Sequence, residues 1–429
     1  MPCPDERQSL AVNELCGRRR VVVTGLGAVS PVGNTVAATW ESLVAGRSGI
    51  DWITLFDSDG FAVKIAGEVK DFQPSPIIDT KEARRIDRNV HFAVTAAGEA
   101  LADSGLAITP ENMDDIGCVC GTAVGGIRTL IDGQMLLAAK GPDRVGPFVL
   151  QNLIPDTASG QIAISFGVRG HNMAVVSACA TGGHALGEAA EAIRRGDAVA
   201  MVAGGTEAAI VPLVLAGFTN MRALSLESTC PAQASRPFDA RRQGFVMSEG
   251  CAMMILEDLD HARARGARIY AELLGYGSTN DAYHLAAPSD NGEGAGRAMA
   301  RALRRSGIGP EDVDYINAHG TGTPLNDRFE TSAIRHVFGA AADNLVVTST
   351  KSMTGHMMGA AGAIEALVCV KTIVESVIPP TINLEVPDPD CDLDYAPGVA
   401  RRRPVRVAMS NSLGLGGHNS SIVFRRYEE

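Results

Sequence analysis

Ala100-Leu-Ala-Asp-Ser-Gly-Leu106, followed by Pro110-Glu111 and an apolar run ending at Gly121, returns later as Ala302-Leu-Arg-Arg-Ser-Gly-Ile308, Pro310-Glu311 and an apolar run ending at Gly320. The offset of about 200 residues marks a duplicated unit of helix end, turn and strand. A weaker echo pairs Val175-Val-Ser-Ala-Cys-Ala-Thr-Gly-Gly-His184 with Val346-Val-Thr-Ser-Thr-Lys-Ser-Met-Thr-Gly-His356. Its shorter offset, about 172 residues, predicts an insertion in the first half near residues 122 to 170. Outward from these repeats, Arg20-Val-Val-Val-Thr24 reads as a buried strand feeding a turn at Gly25 and Gly27. Similar apolar runs recur at Ile116–Cys120, Met173–Ala178, Ala198–Ala203, Val313–Ala318, Leu345–Thr350 and Arg406–Ser410. Helical patterns follow several of them, as at Gly187–Arg195 and Ala360–Glu375, and this alternation predicts an α/β fold. The halves, 18–266 and 267–429, meet near His261–Arg268 with no Pro/Ser-rich linker, so two closely packed halves are expected.

The chain has 429 residues, 45% of them hydrophobic, enough for a sizeable core. Lys plus Arg at 38 against Asp plus Glu at 49 leaves a net charge of −11, which disfavours binding to nucleic acid phosphates or anionic lipid. The 47 glycines and the low aromatic content, 5%, fit tight turns and close backbone approach. Nine scattered cysteines without a CxxC pair fit reduced thiols and a cytoplasmic setting. Residues 1–17 lack an apolar core and read as a disordered extension rather than a signal peptide. The longest nearly apolar stretch, around Ala208–Phe218, is too short to cross a bilayer and contains Pro212, so no membrane span is expected.

Cys179 is placed at the end of an apolar strand and the start of a small-residue helix, where free backbone N–H groups and the helix dipole favour a thiolate. The plainer alternative is an inert buried thiol. His319, opening His-Gly-Thr-Gly-Thr-Pro324, and His356, in Lys351-Ser-Met-Thr-Gly-His-Met-Met-Gly359, both fall at strand-to-helix junctions. A pseudo-twofold relating the repeats would bring His356 beside Cys179, whereas either histidine alone could be a hydrogen-bonded structural residue. Asn411-Ser-Leu-Gly-Leu-Gly-Gly-His-Asn419 lies between two strands and is either an oxyanion-binding loop or a tight hairpin. Gly25-Leu-Gly27-Ala-Val-Ser30 is one glycine short of a dinucleotide fingerprint. Cys118 and Cys120 lack a second ligand pair, so no metal site is expected. Lys81-Glu-Ala-Arg-Arg-Ile-Asp-Arg88 is a basic cluster in an acidic chain, ordinarily a solvated helix face.

Taken together, Val-Ser-Ala-Cys179-Ala-Thr-Gly, Ala-His319-Gly-Thr-Gly-Thr-Pro, Ser-Thr-Lys351-Ser-Met-Thr-Gly-His356, the C-terminal Gly loop, Ser235-Arg-Pro-Phe-Asp239 and Pro379-Pro-Thr-Ile-Asn383 resemble the type II elongating β-ketoacyl-acyl-carrier-protein synthases over nearly the whole chain. The resemblance implies a thiolase-like five-layer αβαβα fold built from two duplicated halves, usually a homodimer. It implies that Cys179 takes an acyl chain from an acyl carrier protein and that His319 and His356 stabilise the enolate formed when malonyl carrier protein loses CO₂. Condensation then gives a 3-oxoacyl carrier protein two carbons longer, with no cofactor of the enzyme's own. Lys351 and Glu365 match the family's supporting pair, the Cys179 and Leu415 amides its oxyanion hole, and Thr321 and Thr323 its pantetheine-binding hydroxyls. Val124, Leu413 and Leu415 match positions at the acyl pocket, the two leucines standing where phenylalanine is common. Lys81, Arg84, Arg85 and Arg222 match its carrier-docking patch. A thiolase would need a second cysteine in the Gly loop. Specialised synthases of nodulation-factor or reducing polyketide pathways, a heterodimer with a chain-length partner, and the noncatalytic chain-length subunit itself remain alternatives; Cys179 argues against the last.

Overall fold

The computed structural model describes residues 18–428, so the expected extension at 1–17 lies outside the described residues. Numbering only the strands of the main sheet, the first half supplies β1 (Val21–Val29), β2 (Ile116–Gly121), β3 (Asn172–Met173), β4 (Ala200–Glu207) and β5 (Gly250–Asp258). The second half supplies β6 (Ala271–Asn280), β7 (Tyr315–Asn317), β8 (Val346–Thr348), β9 (Val407–Gly414) and β10 (His418–Arg426). Their spatial order is β8-β7-β9-β10-β6-β1-β5-β4-β2-β3. In each half the third, second, fourth, fifth and first strands lie side by side, so the halves share one topology. Each half is thus a five-stranded sheet, and the two sheets join through a short antiparallel contact of their first strands, with Val21 opposite Leu273, Val22 opposite Glu272 and Val23 opposite Ala271.

The helices that matter here are α1 (Arg88–Ser104), α2 (Ile127–Lys140), α3 (Thr157–Phe166), α4 (Thr181–Arg195), α5 (Pro212–Asn220), α6 (Glu293–Ser306), α7 (Pro324–Phe338) and α8 (Ala361–Glu375). The repeated segments are the ends of α1 and α6, each closed by a glycine in the left-handed region, Gly105 at φ 62° and Gly307 at φ 67°. Helix α1 packs on the outer face of the first sheet, and α6 and α7 on that of the second. Between the sheets, the alanine-rich faces of α4 and α8 share one core with Val21, Val23, Met254 and Phe424. The layers are therefore αβαβα, the thiolase-like fold. Among the described residues no helix is long and apolar enough to cross a membrane.

Two local expectations change. Gly25 and Gly27 do not form a turn, because β1 runs through them to Val29. A Cβ at Gly25 would stand 2.1 Å from the Ala100 carbonyl oxygen, and one at Gly27 1.9 Å from that of Ala96. The second half repeats this, with Gly275 and Gly277 of β6 held against the carbonyl oxygens of Ala302 and Ala298 at 2.5 and 2.0 Å. The glycines thus let each first helix lie directly on its first strand. Secondly, the strand expected over Met173–Ala178 stops at Met173. The Val175 carbonyl passes so close to Gly121 that a Cβ there would stand 2.7 Å from it. Beyond it the chain leaves the sheet, and α4 starts at Thr181, ahead of the expected Gly187.

The insertion is present. Helix α2, a short helix at Val149–Leu153, and α3 fill the space between β2 and β3, where the second half has only α7 and a 3₁₀ stretch.

Candidate active site

Cys179 sits not at a strand end but in a 3₁₀ turn, Ala178–Ala180, that runs into α4. Ala178 adopts φ 50°, a left-handed conformation costing an alanine about 1 kcal/mol. Neighbours hold it there. Ser177 N donates to Thr181 Oγ1 at 2.9 Å, Ala180 N donates to Ser177 O at 3.1 Å, and Gly414 of β9 presses against the turn. A Cβ on Gly414 would lie 2.7 Å from Ser177 O and 3.1 Å from Cys179 N. The Leu415 amide is directed at the Cys179 sulfur. The thiol is not the free thiolate expected from its helix position: burial pushes it up to about 12, outweighing the pull of Lys351 and of the Leu415 amide.

The second half supplies the histidines. The His319 loop leaves β7 and is tied down by carboxylates of α7, Glu330 accepting from His319 N and Gly320 N at 2.8 Å each and Asp327 from Gly322 N at 3.1 Å. Lys351 Nζ donates to His319 O at 2.6 Å and also bonds Glu365. Both members of that ion pair are 1% exposed, so removing one alone would strand a buried charge at a cost of about 3–5 kcal/mol. His356 N donates to Val246 O at 2.8 Å, and the Phe245 ring meets the imidazole edge on at 5.2 Å. Burial, the positive charge of Lys351 and the neighbouring His356 hold His319 well below the usual imidazole range; burial and Lys351 do the same for His356. Both rings are therefore neutral at pH 7, each with an N–H to donate and no positive charge to lose.

Helices α4 and α8 meet beside this site. A Cβ on Gly182 would lie 2.5 Å from Ala363 N, and one on Gly362 2.6 Å from Gly183 N. This contact is the pseudo-twofold inferred from the weaker repeat, and it brings the Cys179 turn and the His356 loop to one cavity of about 500 Å³. Cys179, His319, His356, Thr321, Thr323, Glu330, Leu413 and Leu415 line it, the two threonine hydroxyls 3.1 Å apart. The Gly loop is a hairpin turn with Gly416 and Gly417 at φ 83° and 74°, and it directs the Leu415 amide at the Cys179 sulfur.

Other candidates fall elsewhere. Val124 is outside the cavity, packed with Ile127, Ala209 and Val211. Arg222, exposed at φ 56°, borders the cavity. Lys81, Arg84 and Arg85 are exposed on and just after a four-residue helix, Thr80–Ala83, with the Arg85 guanidinium over the Phe148 ring at 4.6 Å. Arg88 leaves the basic cluster to pair with the buried Glu249 at 2.7 Å. Among the described residues no group of three His, Cys, Asp or Glu is arranged to hold a metal ion.

The carboxylates and rings that brace the site are not marked in the sequence. Glu207, at the end of β4, accepts from Thr122 Oγ1 at 2.9 Å, Ala123 N at 2.8 Å and Gly359 N at 3.1 Å, tying the first half to the His356 loop. Burial raises both Glu207 and Glu330 to about 7. Glu330 lies 11 positions after His319, and nothing in that spacing announces that α7 folds back over the His319 amide. Phe245 and His184 carry no local signature.

Comparison with known proteins agrees with this geometry. A family model described as "Beta-ketoacyl synthase, N-terminal domain" matches residues 18–262, and one described as "Beta-ketoacyl synthase, C-terminal domain" matches residues 270–385. A Synechocystis protein named 3-oxoacyl-(acyl-carrier-protein) synthase 2 is 52% identical over 411 residues, 96% of this chain and 99% of the relative. A Staphylococcus aureus protein of the same name is 50% identical over 410 residues, again 96% and 99%. Among solved structures, the ishigamide ketosynthase/chain length factor superposes with a TM-score of 0.89 at 37% identity, covering 96% of this chain and 100% of that one. A ketosynthase described in complex with its type II PKS acyl-carrier protein and bound to the hexaketide gives 0.88 at 36% identity, with the same coverage.

Proposed function

Because the chain belongs to the β-ketoacyl synthase family, we propose that it performs the chain-extending condensation of fatty acid synthesis, joining an acyl group on Cys179 to malonyl-acyl carrier protein. The observation that carries this is the convergence of one thiol, two neutral imidazoles and the Leu415 amide on a single cavity. In the first step the Cys179 sulfur attacks the acyl thioester of the carrier. The oxyanion forms beside the Cys179 and Leu415 amides, and its collapse expels the pantetheine thiol, which leaves with the cysteine's proton. Malonyl carrier then enters, its arm set by the Thr321 and Thr323 hydroxyls. Loss of CO₂ leaves an enolate, whose oxygen takes hydrogen bonds from His319 and His356. The enolate carbon attacks the Cys179 thioester, and collapse gives the 3-oxoacyl carrier while the released thiolate regains a proton from water. Every electron pair comes from substrate or sulfur, so the reaction calls for no bound cofactor.

Carrier protein docks at Lys81, Arg84, Arg85 and Arg222, a local positive surface on a chain of net charge −11 suited to a strongly acidic partner. Two copies associate through β3, an edge strand that is paired only with β2, carries the exposed Met173 and is followed by the exposed Val176. The halves divide at 266/267, and the setting is the cytoplasm, in keeping with the seven unpaired cysteines among the described residues. A specialised polyketide or nodulation-factor role is less favoured, since the relatives at 50–52% identity are named 3-oxoacyl-(acyl-carrier-protein) synthase 2 whereas the type II PKS ketosynthase and the ishigamide ketosynthase/chain length factor stand at 36% and 37%. The test is intact-mass analysis of the protein after incubation with a ladder of acyl carrier proteins, followed by addition of malonyl carrier. An acyl adduct on Cys179 that is consumed to yield 3-oxoacyl carrier supports the reading; no adduct with any chain overturns it.

A further inference from the structure

His184, on the first turns of α4, is 7% exposed and joins the nucleophile turn to the second half. Its Nδ1 lies 2.6 Å from Ser177 Oγ, two residues before Cys179. Its Nε2 faces Asn419 O at 3.3 Å and Ser278 Oγ at 3.2 Å. A carbonyl only accepts, so the ring proton sits on Nε2, and Nδ1 accepts from the Ser177 hydroxyl. Burial holds this imidazole down to about 4, hence neutral in working conditions. Asn419 belongs to β10, the return strand of the hairpin that carries Leu415, and Ser278 to β6 beside it. One ring therefore spans the two walls between which the thioester oxygen must fit: the turn presenting Cys179 and the hairpin presenting the Leu415 amide.

Resting on the condensation read above, we infer that His184 is a positioning residue for acyl transfer to Cys179, holding the left-handed Ala178 turn in register with the Leu415 amide through its bond to Ser177. The enolate donors are anchored separately, by Glu330, Lys351 and the Val246 carbonyl. Decarboxylation therefore does not depend on His184.

Two rates separate these roles. Acylation of Cys179 by an acyl carrier protein is followed by intact mass; malonyl carrier decarboxylation is followed in a Cys179→Ala background, with and without the second substitution. Ser177→Ala removes one hydroxyl and leaves both backbone ties of the turn, so it tests the idea even where His184→Ala does not fold. Both substitutions should slow acylation about 10- to 100-fold, the scale of a misplaced reacting group, and leave decarboxylation within about twofold. The double variant should be no slower than either single one, and His184→Asn, which returns an acceptor near the Nδ1 position, should recover most of the loss. Acylation by both variants at the wild-type rate overturns the proposal, as does an equal fall in both rates, which marks a scaffold residue only. Wild-type protein that never acylates Cys179 overturns the condensation reading and this proposal together, so the two failures are distinguishable.

Discussion

The imidazole rings of His319 and His356 stand edge to face, 84° apart with centroids at 5.4 Å. That separation lets two neutral donors approach one small anion from different directions, while burial, with Lys351 behind them, keeps either from taking a proton. In the condensation proposed above, this arrangement would serve the enolate without involving the thiol. Cys179→Ala should therefore abolish 3-oxoacyl product yet leave measurable CO₂ release from malonyl carrier. Product formed by the purified variant would show that another group is the nucleophile.

Leu415 lines the cavity beside Cys179, and a leucine there leaves room that a ring would occupy. Leu415→Phe should shift the acyl profile toward short, saturated chains, with competing kcat/KM ratios moving about 10-fold or more, the size expected of a methylene-scale misfit. An unchanged profile in one-pot competition returns Leu415 to a packing role.

Reversing charge at Arg84 and Arg85 should weaken carrier binding most at low ionic strength, where surface charges are least screened, while turnover of a small thioester mimic holds. Equal carrier turnover by wild type and the doubly reversed variant in dilute buffer would reduce the patch to a solvated surface. Arg85 is expected to show the smaller single effect, since its guanidinium already rests on Phe148.

Glu207 gives a signed dependence on pH. Burial raises its carboxyl from 4.5 to about 7, so the folded protein holds a proton that the unfolded chain releases at lower pH. Its contribution to stability is full below about pH 4.5 and is lost as pH rises through about 7, at up to about 1.4 kcal/mol per unit. Urea unfolding of wild type and Glu207→Gln at pH 5 and 7.5 should show wild type losing ground to the variant at the higher pH. A constant gap would mean that the carboxyl is ionised throughout.

The parts legible in the sequence were those written locally or twice. Gly105 and Gly307 end matching helices because each is the C-cap of the same motif, and Cys179, His319 and His356 sit in short signatures that survive without tertiary information. The bracing of the site was not legible. Glu330 reaches back 11 positions, Glu207 bridges to Gly359 across the pseudo-twofold, and His184 looks like one more residue on a buried helix until Ser177 and Asn419 are placed around it. The weak acidity of the thiol is hidden for a related reason. A helix N-terminus can be read from sequence, whereas full desolvation depends on the second half closing over it.

The first strand carries a consequence for how the chain assembles. Val21–Val29 is flanked by β5 and β6, whose residues opposite Val21 are Asp258 and Leu273. At ordinary rates of synthesis these follow it by roughly 10–50 s, during which a strand buried along its whole length in the folded protein has neither neighbour. Closure of the molecule is thus a long-range, slow event, and a nascent first half exposes a sticky edge that invites chaperone capture. Pulse-labelled amides should accordingly show Val21–Val23 gaining protection no sooner than Leu256–Asp258 and Ala271–Leu273. The strand Val21–Val29 thus waits for partners that lie 237 and 252 positions beyond Val21, at Asp258 and Leu273.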